Sequence, residues 1–381
     1  MFRTDTKKLY EEVTRGYNQL KSAKNSEERM ALANYIGNLY IAISSVQDSD
    51  VFIKEKTIFG SHKNYQKFVK KLDIYEVKML ENLVSQQDFH REYLRDIIMG
   101  VEDNFSRLKE EEMSKTTIIS KEECYAIFHD FMKSINQDNM FDKFYKEGRI
   151  YSSKVDEKNG SLGNTEYNPI SGETNIFIRN FKYDVHSMFT LAHEFGHVYD
   201  FNEHKVDAKT FNKSMLQSFN GEVFSCLFER LFLDFLNNNN ILEDDFERIK
   251  INTMKVNYNY LVSSYILSLL KDSYLENLDF TYMSNEEIYY IVKNKLKIDF
   301  DSIIEYMLPF DLAENNAYAF GDVFSMFLFD RIKKEGFNNE LVSKFINERY
   351  RMFNKDFIID NGLSSDNYLE LYKKELKLIK K

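Results

Sequence analysis

Proline ends or kinks a helix wherever it falls in the interior, because it lacks a backbone N–H and clashes with the preceding turn. This chain of 381 residues contains two prolines, Pro169 and Pro309. Long uninterrupted helices are therefore possible over most of its length. Hydrophobic residues make up 43% and charged residues 29%, the balance of a globular chain rather than a disordered one. The length suits one large domain or two ordinary ones. A mainly α fold is the expectation.

Periodicity locates the helices. Leu9, Val13, Tyr17 and Leu20 recur at helical spacing. Asn25 followed by Glu28 is a capping-box pattern, and it opens a helix with the apolar stripe Leu32, Ile36, Leu39 and Ile43. The segment "YEVKMLENLVSQQDFHREYLRDIIMGVEDNFSRLKEEE" reads as another helix or helix pair. A soft boundary near residue 115 divides an N-terminal helical region, 1–115, from a second region, 116–381. Between Glu147 and Lys182 the chain is rich in Gly, Asn and Ser. Two β-like bursts there, Ile150 to Val155 and Asn175 to Arg179, predict a small hairpin or sheet. Helices follow in "GEVFSCLFERLFLDFL", "YLVSSYILSLLKDSY" and "AYAFGDVFSMFLFDRIKKEG", the last with Gly336 as C-cap.

The net charge is −10 with no basic block, which disfavours nucleic acid and anionic membranes as partners. The N-terminus lacks the apolar core of a signal peptide, and no run reaches transmembrane length. Cys124 and Cys226 are too few for a disulfide framework. These features together point to the cytoplasm.

The stretch "FTLAHEFGHVYDF" carries His193 and His197 four residues apart, so a helix presents both imidazoles on one face, where they can share an ion. Glu194 would sit beside that ion, placed to act on a bound water. Asp184 is a candidate N-cap, with Val185, Met188, Leu191 and Phe195 to anchor the helix. The alternative is two core histidines that happen to share a face. A third ligand of the metzincin kind is excluded, because Asp200 and Glu203 stand where that pattern needs Gly and His. His186 and His204 each lie seven residues from a motif histidine, about 10 Å along a helix and too far to share its ion. A carboxylate from a later helix is the other solution. Glu222 stands 25 residues after His197, ahead of a helix that Phe224, Leu227, Phe228, Leu231 and Phe232 would bury. It reads equally as a first-turn glutamate favoured by the helix dipole. Cys226, one turn on, is a conceivable thiolate ligand or a small buried residue.

"YDVHSMFTLAHEFGH" followed by "GEVFSCLFE" resembles the zinc oligopeptidases related to oligopeptidase F and thimet oligopeptidase, a gluzincin group. The resemblance spans roughly residues 120 to 335 and marks the chain as a short, divergent member. It implies a helical, thermolysin-like fold in which "GRIYSSKV" and "TNIFIRNF" form a small β-sheet edging the active-site cleft. It implies one Zn²⁺ per chain held by His193, His197 and Glu222, with Glu194 as general base. Glu229 would orient a metal-bound histidine, unless it is a surface group paired with Arg230. Tyr318, three residues before Gly321, would face the metal and support the oxyanion, unless it is a core aromatic. The "TNIFIRN" strand would bind extended peptide by β-addition or serve as a structural edge. Two departures stand out: no histidine follows His204, and Asn315, Asn316 and Asp322 surround Tyr318 in place of further tyrosines. The expected function is a zinc-dependent endopeptidase acting on oligopeptides. The alternatives are a non-catalytic zinc-containing relative that binds peptides or a partner, and a metalloprotease for larger proteins. Oligomeric state is left open.

Overall fold

A computed structural model describes residues 7–46, 88–105, 116–152, 162–204, 221–276, 309–337, 342 and 362–379. The expected boundary near residue 115 and the end of the first β burst, 153–155, lie outside them. The described chain is mainly helical with one small sheet, as composition and proline scarcity predict. It divides into two compact units, and one helix, Val223–Asn238, passes from the second into the first at Phe228.

The first unit is built on the sheet. Strands β1 (Ile150–Ser152), β2 (Leu162–Tyr167) and β3 (Thr174–Arg179) lie in the order β1-β3-β2. β1 runs parallel to β3, and β2 runs antiparallel to it with Thr165 opposite Ile176. The β2–β3 turn is held by Asn168, whose Oδ1 accepts from the N–H groups of Ile170 (3.0 Å) and Ser171 (3.1 Å). β3 is thus the middle strand, buried from Thr174 to Ile178. Its backbone is committed on both sides, which corrects the reading of "TNIFIRN" as an edge or a site of β-addition; a continuous apolar run belongs at the centre of a sheet covered on both faces. Helices α1 (Lys7–Ser22) and α2 (Ser26–Val46) cover one face. Leu9, Val13, Tyr35, Ile36, Leu39 and Ile43 form one cluster with Tyr151 and Phe177. Asn25 caps α2 through the Glu28 N–H at 2.8 Å, as expected.

The other face of the sheet packs against the helix Val185–His204. Before the sheet come α4 (Lys121–Ser134), with a complete capping box at Ser120 and Glu123, and α5 (Asp138–Glu147). In the second unit are α3 (Asp88–Phe105), α8 (Glu243–Glu276) from Glu247 on, α9 (Pro309–Glu335) and α10 (Ser365–Leu376). Here Asp322 of α9 is buried and accepts from the Tyr368 hydroxyl at 2.7 Å and from the Asn257 amide. Lys250 and Glu375 form a buried ion pair at 2.7 Å. α9 ends as predicted, with Gly336 at φ 81° and its N–H on the carbonyl of Ile332. Among the described residues no helix is long and apolar enough to cross a membrane.

Candidate metal centre

The motif helix Val185–His204, labelled α6, starts where Asp184 caps it. The Asp184 carboxylate accepts the Ser187 N–H at 2.7 Å and the Thr116 hydroxyl at 2.6 Å, while the Ser187 hydroxyl accepts the Lys182 N–H at 2.9 Å. The cap fixes the start of the helix, and the predicted anchors fix its rotation. Val185, Met188, Leu191 and Phe195 are all buried. Phe195 packs its ring against Phe128, Phe141 and Phe144 at centroid distances of 5.6, 5.7 and 5.6 Å. Two residues along a helix turn the direction by about 200°, so seating Phe195 in this cluster turns His193 and His197 to the opposite side. Their rings stand 5.0 Å apart and nearly perpendicular.

Helix α7 (Val223–Asn238) brings in two carboxylates. Phe228 and Phe232 contact Phe131, and Phe228 also contacts Tyr199 of α6. With the helix so placed, Glu229 Oε1 lies 2.8 Å from Nδ1 of His193. An imidazole that donates from Nδ1 keeps its Nε2 lone pair for a metal. Glu222 immediately precedes α7, its carbonyl accepting the Cys226 N–H and its Oε2 the Ser225 hydroxyl at 2.6 Å. One ligand-capable atom from each of His193, His197 and Glu222 lies within 4.8 Å of the others. Tetrahedral zinc with bonds of about 2.1 Å needs donors roughly 3.4 Å apart, so two imidazoles and a carboxylate at this separation fit it with small side-chain adjustments. Cys226 is buried and outside that trio, as is half-buried His186; the side chain of His204 is not among those described.

Glu194 is more buried than the half-buried His193, His197 and Glu222, with 2% of its surface exposed. Strand β2 explains how. The Thr165 hydroxyl donates to Glu194 Oε2 at 2.6 Å, with a second acceptor in the Glu194 carbonyl at 3.1 Å. At Gly163 a Cβ would stand 2.2 Å from Glu194 Oε1. Glu166, on the opposite face of β2, is also 2% exposed and accepts from the Asn164 amide at 2.6 Å. Burial pushes its carboxyl up to about 8; hydrogen bonds from Asn164 and Asn38 oppose the shift, and the charge of Glu194 adds to it.

Tyr318 lies in α9, half-buried and stacked on Tyr260 at 4.8 Å. One turn later a Cβ at Gly321 would lie 2.7 Å from Cβ, 2.8 Å from O and 2.9 Å from C of Glu222. That close approach is a physical reason for glycine three residues after Tyr318, since i and i+3 share a helix face.

Sequence reasoning missed β2 and with it Thr165, Gly163 and Glu166. "LGNTEY" is polar and lacks an alternating apolar stripe, so periodicity is silent. The Asn-Pro pair at 168–169, a turn signal just ahead of a strand, was the clue that a partner strand precedes it.

No family model and no curated protein matches the sequence. The fold is similar to a crystal structure described as "a putative oligoendopeptidase F from Bacillus anthracis str. Ames". That match has a TM-score of 0.52 and 12% sequence identity, covering 97% of this chain and 78% of the other. The likeness is one of fold, and it agrees with the mainly helical, small-sheet architecture that the motifs imply.

Proposed function

We propose that the chain is a zinc-dependent endopeptidase that hydrolyses oligopeptides. The observation that carries this reading is the convergence of His193, His197 and Glu222, with Glu194 alongside in a buried, hydrogen-bonded setting. The fold shared with an oligoendopeptidase-like structure supports it. Zinc held by the trio would supply Lewis acidity and a water acidified to a pKa of about 7.

The chain's own groups do the rest. Glu194 receives the proton of the attacking water and passes it to the leaving amine. Glu229 holds His193 in one tautomer and orientation. Tyr318 offers its hydroxyl to the oxygen of the scissile carbonyl. Peptide lies extended beside Glu194 along β2, which among the described residues pairs on one side only. Cys124 and Cys226 are both buried and neither is in a disulfide, which suits a reducing compartment such as the cytoplasm.

The test is hydrolysis of a mixed set of quenched fluorescent peptides, before and after chelation and zinc repletion. Cleavage lost on chelation and restored by zinc is the expected result. A protein that holds one zinc yet cleaves nothing would be a binding module instead. Cleavage of folded proteins but not of short peptides would move the substrate to larger chains.

A further inference from the structure

We infer that Thr165 and Gly163 together position the carboxylate of Glu194, one by a hydrogen bond and the other by leaving room. The inference rests on reading Glu194 as the base. Residues two apart on a strand share a face, so both act from the side of β2 that packs on α6. Thr165 engages Oε2 at 2.6 Å, which fixes one oxygen of the carboxylate. Oε1 occupies the space that any side chain at 163 would claim, 2.2 Å from the site of a Cβ. The pair therefore selects a single orientation of the carboxylate: Oε2 is engaged by the hydroxyl, and Oε1 fills the space left by the missing side chain at 163. A glutamate side chain has several rotatable bonds, and holding a catalytic group in one geometry is worth far more than its hydrogen bond contributes to stability.

A merely structural role is the competing account, since a threonine on a packed strand also needs an acceptor. Two features favour positioning. The shorter bond goes to the motif glutamate's side chain and the longer one to its backbone carbonyl. Glycine also stands at a neighbouring position whose side chain would push that carboxylate aside.

The experiment compares wild type, Thr165→Val, Thr165→Ser and Gly163→Ala, each loaded with zinc, by kcat, KM and bound metal, with crystal structures of wild type and Thr165→Val. Thr165→Val should lower kcat by about 10- to 100-fold with KM and zinc content unchanged, the cost of a misplaced group. Thr165→Ser, which keeps the hydroxyl, should recover most of that loss, and Gly163→Ala should lower kcat while retaining zinc. Wild-type kcat in Thr165→Val overturns the inference, and so does a loss that Thr165→Ser shares. If the wild type cleaves no peptide, the peptidase reading fails by itself, and the crystal structures decide the clamp. A Glu194 carboxylate swung away from its wild-type position in Thr165→Val upholds it; an unmoved one overturns it.

Discussion

Glu229 Oε1 stands 2.8 Å from Nδ1 of His193, and both side chains are largely buried, at 15% and 13% exposed. The contact joins α7 to α6 on the side of His193 away from its Nε2. It makes Glu229 a partner of the imidazole. Glu229→Gln should weaken zinc binding by about 10- to 100-fold without abolishing it, the usual cost of losing such a partner. Competition against a chromophoric chelator measures this, and an unchanged affinity would falsify the role.

Glu194→Gln removes the proposed proton acceptor while keeping the side chain's length and its acceptor for Thr165. Turnover should fall by at least about 10²-fold with zinc stoichiometry intact. Metal analysis beside the peptide assay separates the two effects. Turnover persisting at the wild-type rate would rule out the proposed base.

Tyr318→Phe keeps the ring stacked on Tyr260 and deletes only the hydroxyl. A transition-state donor lost in this way costs about 10²–10³ in kcat. Unaltered kinetics would instead identify Tyr318 as a core aromatic.

Gly321→Ala sets two effects against each other. Alanine favours the helix by about 1 kcal/mol. Its Cβ, however, would meet the O, C and Cβ atoms of Glu222 at under 3 Å, and none of these can rotate away. Overpacking of that kind costs about 1–3 kcal/mol, so the balance should be a lower melting temperature. Displacing Glu222 should weaken zinc binding too. A variant as stable as wild type with the same zinc affinity contradicts the packing described.

Glu166 predicts a pH dependence in the metal-free protein. Its carboxyl is raised from an ordinary 4.5 to about 8, so between those values the native state holds a proton that the unfolded chain has released. The stability it contributes is fully present below pH 4.5 and is lost as the pH rises through about 8. Glu166→Gln carries no such proton. Its melting temperature should match wild type near pH 4.5 and exceed it above pH 8. Parallel melting curves for the two proteins across this range would exclude a raised carboxyl.

The two motif histidines were legible because their relationship is internal to one helix. A spacing of four residues and the anchors Val185, Met188, Leu191 and Phe195 are all periodicity, and all four anchors are buried as read. The Asp184 and Asn25 caps and the Gly336 stop were legible for the same reason, being contacts within a few residues. Strand β3 was visible as an apolar run but was mistaken for an edge, because its central place depends on β2, whose sequence is polar.

By itself, then, the sequence determined a mainly helical chain and a helix that carries two histidines on one face with a glutamate next to the first. Tertiary structure alone decided which distant groups meet them. Thr165 reaches Glu194 across 29 residues, Glu229 reaches His193 across 36, and Gly321 admits Glu222 through a contact that no local pattern encodes. The reason is physical: helical periodicity is written in neighbouring residues, whereas the meeting of Glu229 with His193 follows from how Phe128, Phe131, Phe195, Phe228 and Phe232 pack α4, α6 and α7 together.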